Sequence, residues 1–318
     1  MAKDNKTFND YLTNLKKDEL NAIVDNYNRF ATIYNEKNIV TKGLKKEDII
    51  GLIVKNKSTY VKYILSIINK YDRNEIEKGS YSKKIQRYLS KYKLLDEDNI
   101  LFSDIKKTID KLLKNSEFIK QMKNWDYINN IINGLIIAYG VVDTNYVKDI
   151  LAKYCDYEQT LALLKLGTQD YSIEKKKIVS KLLTSRKRID KYYSDNSYKE
   201  FNIKELQKLG TNKYHYDIKE YKKLMSILKN YYVFKRKDIK FIDENIVIPY
   251  LYISINEEDI AKDALMTKLE EYFEFREDKL KERLYKQVDG IRDNFPLWEY
   301  RGFSKKEVKK WKRTDIQL

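Results

Sequence analysis

The chain has one cysteine, one histidine, two prolines and nine glycines in 318 residues. Each scarcity excludes something. With Cys155 alone, no disulfide framework forms within the chain, which fits a reducing compartment, and a cytoplasmic location is the expectation. Cys155 and His215 together cannot supply the soft ligands of a zinc site, and no metal or cofactor is expected. So few glycines and prolines argue against sandwiches and barrels, whose many turns need them. The phosphate-cradling patterns G-x-x-x-x-G-K-[ST] and G-x-G-x-x-G are absent, as is the G-x-S-x-G elbow. The most apolar stretch, Ile131 to Val142, is far shorter than the ~20 residues of a membrane helix and reads as a buried core helix. The opening MAKDNKTFND is polar, so no export leader is expected.

Charge and aromatic side chains are abundant. Lys and Arg number 64 against 48 Asp and Glu, a net charge of +16. Hydrophobic residues make up 42% and aromatics 13%, enough for a packed core. Part of the lysine excess follows from the bias toward Lys, Asn, Ile and Tyr that an AT-rich coding sequence brings. The clustering of the cations is more informative, because a local positive field draws phosphates.

Hydrophobic spacing predicts helix after helix. Leu12, Leu15, Leu20 and Ile23 recur at helical period. Leu44, Ile49, Ile50 and Ile53 form a second stripe, with a helix start marked by Thr41 and Gly43. Two short helices around an extended connector are expected in residues 1–57. Residues 58–195 read as a helical core. There Ile105, Ile109, Leu112 and Leu113 share a face behind Ser103 as N-cap. Trp125, Ile128, Ile131, Ile132, Leu135 and Tyr139 face inward on a helix that Gly140 stops, and Asp143 or Thr144 caps the next one. In residues 196–318, FIDENIVIPYLYISIN is rich in β-branched and aromatic residues and reads as a strand, with Pro249 arguing against a central one. Residues 257–291 read as one long amphipathic helix. Its stripe holds Ile260, Ala264, Leu265, Leu269, Tyr272, Phe273, Leu280, Leu284 and Val288. Ser304 and Glu307 make a capping box for the last helix.

The text YLTNLKKDELNAIV…KGLKKEDIIGLIV resembles the Rho N-terminal and SAP-like helical modules, through Leu15, Leu20, Ile23, Gly43, Lys45, Asp48, Ile49 and Ile53. That resemblance implies a contact with DNA, RNA or the machinery that handles them. GLIIAYGVVDTNYVKDILAKY resembles the opening of winged-helix domains, and LGTQDYSIEKKKIVS then fits the wing, a hairpin turning near Glu174 to Lys176. The whole chain resembles a group of proteins from low-GC Gram-positive bacteria and their phages, whose ending DNFPLWEYRGFSKKE matches at Asn294, Pro296, Trp298, Gly302 and Glu307. That group carries no settled activity. The fold class expected is mainly α, a helical multi-domain chain with a small winged-helix β-hairpin.

Three basic runs stand out. The first holds Lys175, Lys176, Lys177, Lys181, Arg186, Lys187, Arg188 and Lys191, opposed by Glu174 and Asp190 and followed by Tyr192 and Tyr193. The second holds Lys222, Lys223, Lys229, Lys235, Arg236, Lys237 and Lys240, interleaved with Tyr231, Tyr232 and Phe234. Tyr231 and Phe234 are read there as core. The third is the tail, Lys305 to Arg313 around Trp311. A charge run is also what any solvated helix face looks like. Acidic residues cluster between Glu257 and Asp278, and pairing with the chain's own lysines is the default reading. Cys155 reads as a buried thiol in an apolar helix, and His215 as a surface or turn residue. Asp170, Glu174 and Lys176 could be drawn as a nuclease centre, but such sets arise by chance in a chain this charged.

The function expected is non-enzymatic nucleic-acid binding with modest sequence preference. The contacts would come from Lys175, Lys176, Lys177, Lys181, Arg186, Lys187, Arg188, Lys235, Arg236 and Lys237. Two other readings remain open. One is a phage or mobile-element protein that binds and regulates a host complex through Tyr and Trp anchors. The other is a divergent metal-dependent nuclease. No membrane partner is expected.

Overall fold

A computed structural model describes residues 6–34, 36–68, 70–156, 164, 171–181, 183, 198–232, 235–253, 261–275 and 277–314. The fold is mainly α with one small antiparallel sheet, as the hydrophobic spacing predicts. The chain divides into two compact units, 1–129 with 150–169 and 130–149 with 170–318.

The first unit is built on helices α1 (Phe8–Asn14), α2 (Lys17–Ile33), α3 (Lys46–Ile67), α4 (Lys70–Lys78), α5 (Lys83–Lys91) and α6 (Ser103–Leu112). The first residues of α7 (Ser116–Tyr139) also belong to it. Helix α3 continues past residue 57 because Tyr60, Val61, Tyr63, Ile64 and Leu65 extend its buried face. The core is aromatic: Phe30 meets Tyr60, Tyr63 and Tyr92, and Tyr34 stacks flat on Tyr63 at 4.5 Å. Arg73 is buried and gives its guanidinium to the Ile68 carbonyl and the Asp126 carboxylate. Asp104 ties α1 to the body, accepting from Phe8 N at 2.7 Å and from Lys57 Nζ at 2.7 Å. Ser103 is the first residue of α6 rather than its cap, a position that Phe102 occupies. Leu15, Leu20, Ile23, Ile49 and Ile53, which carry the Rho-N and SAP-like resemblance, are all buried.

The second unit starts with the end of α7, whose inward residues are buried as expected. Gly140 stops it with φ +65°. Then come β1 (Val141–Asp143), α8 (Thr144–Leu151), β2 (Tyr171–Glu174) and β3 (Lys177–Ser180). The sheet order is β1-β3-β2, antiparallel throughout. Helices α9 (Ile203–Gly210), α10 (Lys219–Tyr231), α11 (Arg236–Ile242), α12 (Ala261–Tyr272), α13 (Asp278–Asn294) and α14 (Lys305–Thr314) complete it. A single 3₁₀ turn, Tyr214–Asp217, stands between α9 and α10.

Two expectations about secondary structure fail in this unit. The strand expected around Pro249 is instead a helical continuation of α11, with π-helical stretches Asp243–Val247 and Pro249–Ile253. Ile242, Ile246, Val247 and Leu251 are buried. A helix seats them at four- to five-residue spacing, so packing overrides their β preference. The long helix expected over 257–291 is two helices. It breaks after Tyr272, and Tyr272 is 48% exposed. One helix face cannot bury Tyr272, Phe273 and Phe275 together. The break buries Phe275 and stacks it on Phe273 at 6.2 Å. Helices α12 and α13 then pack on each other, bridged by Lys281 Nζ to Glu270 Oε1 at 3.3 Å. No helix among the described residues is long and apolar enough to cross a membrane.

Candidate functional site

The first basic run begins at a hairpin. Strands β2 and β3 pair Tyr171 with Ser180, Ser172 with Val179, Ile173 with Ile178 and Glu174 with Lys177. That register leaves a two-residue turn, Lys175 and Lys176, both in the left-handed region at φ +44° and +68°. A two-residue connection of the I′ type needs positive φ at both positions, which is why Asn-Gly is usual there. Lysine at such a position costs roughly 1 kcal/mol, because its Cβ crowds the following carbonyl.

The surroundings hold the turn in place. Strand β1 lies on the other side of β3, pairing Val141 with Val179, Val142 with Ile178 and Asp143 with Lys177. Thr144 N donates to the Lys176 carbonyl at 2.8 Å, and Ser180 N donates to Gly140 O at 2.8 Å. Ile178, Val179 and Tyr171 are buried, so both faces of β3 are covered. Lys175, Lys176, Lys177 and Lys181 are all exposed. The nearby acids are partly occupied: Glu174 accepts from Ser172 Oγ at 3.0 Å, and Asp143 accepts from Asn145 N at 2.8 Å. The hairpin end therefore carries three successive ammonium groups on a backbone fixed by a third strand.

The remaining expected residues are placed differently. Lys235 and Lys237 are exposed, but at the start of α11, a separate element. Lys235 N is closed there by Asp238 Oδ2 at 2.7 Å. Arg236 opens the same helix, and its side chain lies outside the described residues, as do Arg186, Lys187 and Arg188. Tyr192, Tyr193 and Phe234 are outside them too. Tyr231, expected in the core, is 45% exposed. It is the last residue of α10, past the buried stripe that ends at Leu228. Its neighbour Tyr232 packs inward instead, meeting Phe273 at 4.9 Å and donating to Glu274 O at 2.7 Å.

A second titratable constellation is buried. His215, expected at a surface or turn, lies in the 3₁₀ turn and is fully buried. Its Nε2 stands 3.6 Å from Asp243 Oδ1. Asp243 accepts from Tyr216 Oη at 2.5 Å and also from the Tyr221 hydroxyl. Burial alone would raise the Asp243 carboxyl. The His215 imidazole and the two tyrosine hydroxyls outweigh burial and hold it below its ordinary value. The first turn of the π-helical stretch is thereby anchored by a carboxylate. Cys155 is buried as expected, but in the turn beyond α8 rather than inside a helix.

The nuclease set finds no support in the geometry. Glu174 and Lys176 sit exposed at the hairpin end, and Asp170 is outside the described residues. Among the described residues no group of three or more His, Cys, Asp and Glu side chains could hold a metal ion. Sequence reasoning missed β1, although two β-branched residues directly after Gly140 are a readable strand signal.

No family model, curated protein or solved structure matches the chain.

Proposed function

We propose that the protein binds nucleic acid as a non-catalytic module, with the β2–β3 hairpin acting as a wing along the phosphate backbone. The observation that carries the reading is the turn itself. Lysines occupy both left-handed positions, and a third lysine follows at once. Strain at a turn is a pointer to use when the strained side chains supply something the default residues cannot, and here that is charge. Further support comes from the order of parts: a helix ended by glycine, a short strand, helix α8, then a hairpin whose second strand pairs with the first. A winged module is built in that order. Helices α2 and α3 would add a Rho-N or SAP-like accessory module.

Ammonium groups on a hairpin end read phosphate position rather than base identity, so sequence preference would be modest. Each phosphate neutralised releases counterions, and three contacts give a slope of about −3 in log K against log salt. The test is a mobility shift with mixed-sequence duplex from 50 to 200 mM salt, using wild type and the triple variant Lys175→Glu, Lys176→Glu, Lys177→Glu. Binding should fall steeply with salt and be lost in the variant for every sequence tried. Unchanged binding by the variant, or none by the wild type at 50 mM salt, overturns the reading.

A further inference from the structure

Eight tyrosines are buried among the described residues, and against them an exposed pair in mutual contact stands out. In the first unit, Tyr127 on α7 and Tyr154, just after α8, are 37% and 36% exposed. Their ring centroids stand 5.5 Å apart at an interplanar angle of 53°. Lys123 precedes Tyr127 by four residues on α7 and Lys120 by seven, one and two turns along the same helix face. Both lysines are exposed, and so is Lys153 beside Tyr154. The carboxylate beside Tyr127, Asp126, is occupied by the Arg73 guanidinium, and the exposed Asp156 lies two residues past Tyr154. What faces solvent is a pair of aromatic rings with three exposed lysines, Lys120, Lys123 and Lys153, and one exposed carboxylate, Asp156, nearby in the chain.

A second exposed ring pair among the described residues differs in its charge. Phe241 and Tyr272 meet at 5.3 Å and are 43% and 48% exposed. Tyr272 is followed closely by the exposed Glu274 and preceded by the exposed Glu270 and Glu271. Lys268 Nζ lies over the Tyr272 ring at 5.6 Å but is paired with Glu271, so the charge around this pair is mixed with an acidic excess.

We infer that Tyr127 and Tyr154, flanked by Lys120, Lys123 and Lys153, form a second contact for nucleic acid that stacks unpaired bases. The ligand class is single-stranded DNA or RNA. Rings offer a π-face to any base, and the lysines hold the backbone beside it. The inference rests on the nucleic-acid reading above but uses different residues. It adds a division of labour: the hairpin takes phosphates of either form, and the tyrosine pair favours open strands.

The test is fluorescence anisotropy with a labelled 20-nucleotide oligothymidine and a labelled mixed 20-bp duplex at low salt, using the full chain. Tyr127→Ala with Tyr154→Ala should weaken oligothymidine binding by about tenfold, the loss of one stacked base. Tyr127→Phe with Tyr154→Phe should retain it, since the rings remain. Duplex binding should be unchanged in both. A circular-dichroism melt checks that the alanine variant still folds, as exposed positions allow; if it does not, the phenylalanine variant compared with Tyr127→Leu, Tyr154→Leu replaces it. Wild-type oligothymidine affinity in the ring-less variant overturns this inference while leaving the hairpin reading intact. Loss through the tyrosines with no effect of hairpin charge reversal does the opposite. If the wild type binds neither oligonucleotide, both fall.

Discussion

Trp298 closes over Gly140. The indole Nε1 donates to the Ile137 carbonyl at 2.7 Å, and a Cβ placed on Gly140 would lie 2.2 Å from Trp298 Cδ2. The glycine that ends α7 thus does two things: it takes the left-handed backbone, and it leaves room for a ring from 158 residues further along the chain. The segment around Trp298 is a plug. Phe295, Leu297 and Trp298 are buried, and Gly302, at φ +88°, would put a Cβ 2.7 Å from Tyr139 Cε1. The segment from Phe295 to Gly302 is therefore a packing device in this chain.

Gly140→Ala should destabilise the second unit by about 2–4 kcal/mol, combining overpacking with a forced positive φ. Trp298→Ala should cost about 3–5 kcal/mol by leaving a cavity and an unpaired carbonyl. Chemical denaturation of the full chain followed by tryptophan-independent circular dichroism measures both. A Gly140→Ala loss below 1 kcal/mol would mean that the ring can move aside.

Helices α7 and α9 approach so closely that backbone touches backbone. A Cβ on Gly134 would sit 2.1 Å from Leu206 O, and one on Gly210 would sit 1.9 Å from Asn130 O. Neither obstacle is a movable side chain. Gly210→Ala and Gly134→Ala should each lower the melting temperature by several degrees despite alanine's better helix propensity. A rise in melting temperature would show that the crossing admits a methyl group without moving backbone.

The pH response follows from depressed carboxylates. Asp243 is lowered as described above, and Glu307 is lowered because hydrogen bonds from Lys199 and Ser304 outweigh its burial. A folded value below the unfolded one stabilises the native state above the unfolded value, about 4, and that contribution drains away as pH falls through the folded value. Stability should therefore be flat near neutrality and drop on acidification below about pH 5. Asp243→Asn should weaken the fold at pH 7, by about 2–3 kcal/mol, and flatten the acid limb. Melts across pH 3–7 for both proteins check it, and parallel acid limbs would count against the assignment.

Local chemistry was legible where one face of one element decides it. The α7 stripe and the glycine stop both follow from spacing and φ. So does the Ser304–Glu307 box, in which Glu307 Oε2 accepts from Ser304 N at 2.7 Å and from Ser304 Oγ at 2.7 Å. The hairpin turn fell where expected, between Glu174 and Lys177. A carboxylate three residues in marks a helix start even behind lysine: Glu19 closes Lys16 N and Asp48 closes Lys45 N, so α3 starts at Lys46 and not at the Thr41 and Gly43 expected from sequence, which form a turn before it. What did not show was anything fixed by a distant partner. The burial of His215 depends on Asp243 and Tyr221, and the helical state of residues 243–253 depends on seating Ile246 and Leu251. The Tyr127–Tyr154 pair joins residues 27 apart, which periodicity cannot report.

The hairpin offers a separation of stability from binding. Lys175→Asn with Lys176→Gly installs the residues that a two-residue turn with two positive φ values favours. Relief of two left-handed lysines should stabilise the second unit by about 1 kcal/mol, diluted by whatever relaxation the turn already has. The strands and the Thr144 N to Lys176 O bond are backbone features and survive the change. Two of three tip charges go, so the salt slope for duplex binding should fall from about −3 to about −1. A more stable protein with weaker, less salt-sensitive binding is the expected pair of results, read by thermal melt and titration on the same preparation. Equal affinity at every salt concentration, in a variant that melts higher, would show that the tip lysines are decoration and that the charge does its work elsewhere.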